Sequence, residues 1–97
     1  MMPILNDIKT ALRISNTVYE GEILDLIAAA RADLMLAGIL PVKANDDTDP
    51  LIKRAITVYV KAHFGWNNPD SEKLKQSYDM LKAHLVLSQE YTKEAVG

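Results

Sequence analysis

Apolar residues recur along this chain at three- and four-residue intervals, and clusters of Pro, Gly, Asn and Asp separate the runs. Side chains at that spacing share one face of a helix, whereas the separating residue types favour turns and caps. The pattern therefore predicts an all-α bundle of about four helices. From Pro3 to Ile14, Ile4, Leu5, Ile8, Ala11 and Leu12 take one side, and Asn6, Asp7, Lys9, Thr10 and Arg13 take the other. Ser15-Asn16-Thr17 interrupts this helix, because such side chains compete for the backbone. A longer helix is predicted from about Val18 to Ala37, closed by Gly38. Glu20, Glu22 and Asp25 sit at its start, where the helix dipole favours negative charge. Its core face is Tyr19, Ile23, Leu26, Ile27, Ala30, Leu34 and Ala37.

The stretch from Asp49 to Gly65 is predicted to be a third helix at the centre of the bundle. Asp49 suits the N-cap, Pro50 the first helical position and Gly65 the stop. Lys53, Arg54, Thr57 and Lys61 share a narrow polar strip. Leu51, Ile52, Ala55, Ile56, Val58, Tyr59, Val60, Ala62 and His63 fill the remaining girth, which exceeds the apolar stripe of an ordinary surface helix. Between the second and third helices, residues 39–48 read as a loop, with Pro41 and Asn45-Asp46-Asp47 breaking regularity. The aspartates there lack the glycine and distal glutamate of a calcium loop. They read as a solvated segment that caps the next helix.

After Gly65, Trp66 is expected to seal an edge of the core. Asn68 or Asp70 then caps a last helix from about Ser71 to Ser88. Leu74, Tyr78, Leu81 and Leu85 form its core stripe, with Met80, His84 and Leu87 alongside. The segment from about Gln89 to Gly97 reads as a flexible tail, although Tyr91 and Val96 are suited to dock on a neighbour. The whole, residues 1–97, is expected to be a single α-helical domain.

The second helix carries a further apolar line through Leu24, Ala28 and Met35, next to Arg31. Scattered surface apolar residues are common, but a contiguous exposed strip marks interaction surfaces. Leu24, Ala28, Arg31 and Met35 are accordingly the candidate subunit interface. A chain of 97 residues builds only a small core, so oligomerisation is a plausible source of added stability.

The formal net charge is -2, from 11 basic and 13 acidic residues. That balance offers no strong pull toward nucleic-acid phosphates. There is no cysteine, hence no disulfide and no thiolate chemistry. Met1-Met2-Pro3-Ile4-Leu5 is followed at once by Asn6 and Asp7, so no secretion signal is expected. No apolar run is long enough to span a bilayer, and no membrane association is expected.

Catalysis needs converging groups, and the sequence offers none. His63 and His84 lie on different predicted helices, and each is expected to be a partly buried core histidine. Neither has a second metal ligand three or four residues away. Phosphate loops, nucleophile elbows and zinc spacings do not occur. No catalytic, cofactor-binding or metal-binding residue is therefore assigned, and the chain is not expected to be an enzyme. The competing reading is a small helix-turn-helix-like DNA-binding or packaging regulator using the first two helices. A recognition helix should present Arg, Lys, Asn or Gln near its start, whereas this one presents Tyr19, Glu20, Gly21 and Glu22.

Four segments, "ALRIS", "YEGEILDLIAAARADLMLAGI", "DPLIKRAITVYVKAHFGW" and "SEKLKQSYDMLKAHLVLSQEY", cover nearly the whole chain in order. Through them the sequence resembles the small head–tail connector proteins of tailed bacteriophages and prophages, also described as DNA-packaging or head-completion proteins. The last two segments are the more specific. The resemblance implies a structural, non-catalytic subunit that forms a ring with copies of itself below the portal protein. The ring would extend the DNA channel and receive the tail or a stopper protein, with genomic DNA passing through without sequence-specific binding. It also implies a virion component assembled in the bacterial host cytoplasm. A mildly acidic charge suits such a channel, because strong phosphate contacts would hold the DNA.

Overall fold

The computed structural model describes residues 3–65 and 68–93. Six helices follow in order: α1 (Pro3–Leu12), α2 (Glu20–Leu36), α3 (Pro41–Ala44), α4 (Pro50–His63), α5 (Ser71–Leu87) and α6 (Gln89–Thr92). The described residues contain no strand, and four of the helices are long, as the apolar spacing predicts. Trp66 and Val96 lie outside the described residues.

Local chemistry fixes the helix ends. Asp49 caps α4: its Oδ1 accepts from the backbone N–H groups of Leu51 (2.9 Å) and Ile52 (3.2 Å). Those donors have no intrahelical partner, so the cap stabilises the helix by about 1 kcal/mol. At the other end of α4, Phe64 is already extended and Gly65 takes φ 85°. Two side chains from the following turn then satisfy free carbonyls of α4. The Asn68 amide donates to Lys61 O (2.6 Å), and the Ser71 hydroxyl donates to Ala62 O (3.0 Å).

α1 and α2 end in the same way with different residues. At α2, Gly38 N–H donates to Met35 O and Ile39 N–H to Leu34 O, with Gly38 at φ 113°. At α1, Arg13 N–H donates to Thr10 O and Ile14 N–H to Lys9 O, with Arg13 at φ 61°. Both are paired 5→2 and 6→1 closures, and in each the apolar residue after the turn folds back onto the core. Glycine adopts the left-handed turn without penalty, whereas an L-residue such as Arg13 gives up about 1–2 kcal/mol there.

α4 packs against α5, α2 and α1 and so lies at the centre of the bundle. Ile52, Ala55, Ile56, Val58, Val60 and Ala62 are all buried. Ile4 and Ile8 of α1, Ile23, Ile27, Ala30 and Leu34 of α2, and Tyr78 and Leu85 of α5 complete the core. Each fully buried isoleucine contributes about 1.5–3 kcal/mol of hydrophobic stabilisation. The enclosure of α4 is incomplete at its ends, where Leu51 and His63 are exposed. The molecule is a plate, with extents of 45 × 31 × 18 Å.

Three local expectations change. Lys9 turns inward, because its ammonium pairs with Glu20 at the start of α2 and joins the first two helices. Residues 39–48 contain the one-turn helix α3, with Ile39 buried before it and Ala44 buried at its end. The segment after Ser88 does not run straight into a loose tail. It forms α6, and the Tyr91 ring packs into the core.

Candidate functional site

Two polar clusters and three outward surfaces hold the groups available for function. The first cluster joins α2 to α5. Tyr78 hydroxyl donates to Asp33 Oδ2 (2.6 Å), and Lys82 Nζ reaches the same oxygen at 3.0 Å. The surrounding cleft, about 310 Å³, is also lined by Tyr59, His63, Lys75 and Asp79. Burial alone would push the Asp33 carboxyl up. The hydrogen bonds from Tyr78 and Lys82, with the Lys82 charge, outweigh it and hold the carboxyl below its ordinary 3.8. Burial and the neighbouring carboxylate push the Tyr78 phenol well above its ordinary value. Although His63 is exposed, partial desolvation against the cleft, helped by the Lys75 charge, holds its imidazole below the usual range, with Asp33 opposing. Tyr59 stacks on His63, with ring centroids 4.3 Å apart.

At the centre of this cluster is an ion-paired hydrogen-bond network in which Tyr78 and Lys82 share the Asp33 carboxylate. Among the described residues, no group of three or more His, Cys, Asp or Glu side chains converges to hold a metal ion. The histidines differ from expectation. His63 and His84 are both exposed, because each falls at the margin of its helix's core stripe rather than on it.

The second cluster lies at the opposite end of α4. Tyr91 hydroxyl donates to Asp49 Oδ2 (2.9 Å), so one carboxylate both caps α4 and anchors α6. Leu40 N–H donates to Tyr91 O (2.8 Å), and Lys43 Nζ stands 5.9 Å from the Tyr91 ring centroid. Burial, the hydrogen bond to Asp49 and the Asp49 charge push the Tyr91 phenol up to about 12.

The line nominated on α2 divides in two. Leu24 and Ala28 are exposed. Arg31 instead turns toward the chain after α3, donating to Ala44 O (2.9 Å) and pairing with Asp47 Oδ1 (2.6 Å). Met35 is partly buried against the core. The outward face of α2 is thus Gly21, Leu24, Asp25, Ala28 and Ala32, ending in Leu36 at 88% exposure. Tyr19, expected in the core, is half exposed and meets Phe64 edge-to-face at 5.6 Å.

Two surfaces escaped sequence reasoning. One is a groove of about 350 Å³ between α4 and α5, lined by Arg54, Val58, Ser77, Met80, Leu81 and His84. Periodicity hides it, because Met80 falls beside the core stripe yet is 65% exposed. The other is the outward side of α3, where Val42 is 73% exposed; Leu87, at the end of α5, is 83% exposed. Exposed apolar surfaces of this kind on a small all-α body mark a protein that forms interactions. Comparison with known families narrows this: the sequence model of the family described as phage connector protein matches residues 4–92. The chain belongs to the phage connector protein family. No curated protein and no solved structure matches it. Its role is that of a phage connector, a structural part of the phage particle that meets other head and tail components. No helix among the described residues is long and apolar enough to cross a membrane.

Proposed function

We propose that the protein is the repeating subunit of a head–tail connector ring. Copies associate side by side below the portal protein, extend the channel taken by the genome and receive the tail or a stopper protein. Assembly takes place in the cytoplasm of the bacterial host, and the ring remains in the virion. The observation that carries this reading is the family match across nearly the whole chain. The outward surfaces support it, since a ring needs two different contact patches on each subunit. The exposed part of the nominated α2 line, Leu24 and Ala28, supplies one such patch. Arg31 and Met35 support it from behind: Arg31 fastens the segment after α3, and Met35 fills the core edge beneath. A net charge of -2 fits a channel wall along which DNA slides without being held.

The test is a mass measurement over a range of concentrations, alone and with the portal protein of the same genome. A discrete multi-subunit ring, free or seated on the portal, is the expected result. A chain that stays monomeric in both settings overturns the reading. Leu24→Asp with Ala28→Asp should abolish the ring while leaving the helical fold intact. Met35→Asp is the poorer probe, because its damage to the core would mimic a lost interface.

A further inference from the structure

The ring reading leaves open where the α2 face of one subunit lands on the next. We infer that it lands in the groove between α4 and α5, and that Asp25 of one copy faces Arg54 of its neighbour. This inference rests on the ring reading and gives it a contact.

The groove has the character of a receiving surface. Val58, Met80 and Leu81 give it an apolar lining, which Arg54 and His84 share. Arg54 is exposed and makes no ion pair among the described residues, although Lys9, Arg31, Lys53, Lys75 and Lys82 all do. Lys61 lies one helical repeat further along the same side of α4 and is also unpaired among the described residues. The α2 face carries the opposite sign. Asp25 and Glu22 are exposed and pair with no described residue, and Leu24 and Ala28 lie beside them. Apolar surface flanked by free acids thus matches an apolar lining that carries the free Arg54, with Lys61 further along the same side of α4. Charge complementarity of this kind sets register between partners.

Direction supports the match. Asp33 of α2 shares its cleft with Tyr59 and His63 of α4. At 100° per residue, Tyr59 and His63 lie about 140–180° around α4 from Arg54 and Lys61. α2 therefore covers one side of α4, and the Arg54 strip opens on the other. On α2, Asp25 is nearly opposite the buried line of Ile23, Ile27, Ala30 and Leu34. The two surfaces point away from each other through the plate, so they cannot meet within one chain. They can meet between chains, as a head-to-tail contact that closes into a ring when the rotation permits.

Charge reversal tests the pairing under conditions where the parent assembles, alone or on the portal. Asp25→Arg and Arg54→Asp should each raise the concentration for half-assembly at least about tenfold, a loss of about 1.4 kcal/mol per contact. The double variant, Asp25→Arg with Arg54→Asp, should restore assembly, because the pair re-forms with its signs exchanged. Circular dichroism and thermal melting should show all three variants folded like the parent, since neither side chain is buried. If either single variant assembles like the parent, or the double variant fails to recover, the groove assignment is overturned. If the parent itself never assembles, alone or with portal protein, the ring reading falls and takes this contact with it.

Discussion

Two tyrosines close this fold, and they close it differently. Tyr78 sits in the core stripe of a long helix and donates to Asp33 across the α2–α5 boundary. Tyr91 sits in a four-residue helix and donates to Asp49, the cap of α4. Tyr78 is held by two long helices whose own packing fixes both partners. Tyr91 is the buried anchor of a short segment, helped by the backbone bond from Leu40 and by the Lys43 ammonium near its ring. The same chemical pair therefore joins the global fold in one place and fastens a local strap in the other. Stability need not be uniform across a structure, and short, sparsely packed segments open first.

Truncation should separate the two most sharply. Tyr78→Ala removes a buried ring from between α2, α4 and α5 and should cost about 3–5 kcal/mol, by analogy with other buried aromatics. Thermal melting would register this as a large fall for the whole molecule. Tyr91→Ala should instead free α6, with fast hydrogen exchange at the Leu40 amide and little change in the long helices. If both variants melt globally by the same amount, α6 is part of the cooperative core and the contrast disappears.

Asp49→Ala should fall next in size. It removes a helix cap, worth about 1 kcal/mol, and a hydrogen bond from Tyr91, worth about another 1 kcal/mol. Tyr91→Phe removes only the second and should cost about half as much in denaturant titration. Equal losses in the two variants would mean that the cap contributes nothing.

The pH responses should diverge as well. The folded Asp33 carboxyl lies below its ordinary value, so its contribution is present above about pH 4 and is lost as pH falls through the folded value. Asp33→Asn should flatten the acid limb of the stability curve. Tyr91 moves the other way. Its folded value is raised from 10.0 to about 12, so its contribution is complete below pH 10 and is lost as pH rises toward 12. An alkaline titration followed by phenolate absorbance should show Tyr91 ionising before Tyr78. The reverse order would place Tyr91 in the tighter site.

The smallest expected effect concerns the paired helix ends. Arg13→Gly should stabilise the protein by about 1 kcal/mol through relief of the left-handed backbone, less the greater freedom of glycine in the unfolded chain. Gly38→Ala should destabilise it. Denaturant titration reads both.

The comparison also explains what was legible in the sequence. Tyr78 could be placed because it repeats with Leu74, Leu81 and Leu85, and Asp49 because an acid before Pro marks a helix start. Tyr91 could not. One aromatic in a polar run carries no period, and its partner lies 42 residues away in sequence. Lys9 was misplaced for a related reason. A lysine reads as solvated until a specific carboxylate meets it, and that meeting depends on how α1 turns into α2. Arg31 was singled out for its position on α2, but its partners in the 44–47 segment depend on where α3 folds back. The α4–α5 groove was hidden because it belongs to neither helix alone. Periodicity reports what one helix turns inward, and pairs formed between segments lie beyond it.

The thinness of the plate has a consequence for how the protein withstands heat. At 18 Å it is scarcely two helix diameters deep, so no apolar side chain is far from water. In the proposed ring, a neighbour stacked on a broad side would add the burial that a thicker domain finds within itself. Endurance would then be a property of company: if the ring forms as proposed, the melting point should climb with protein concentration, because association draws the chain toward its folded form.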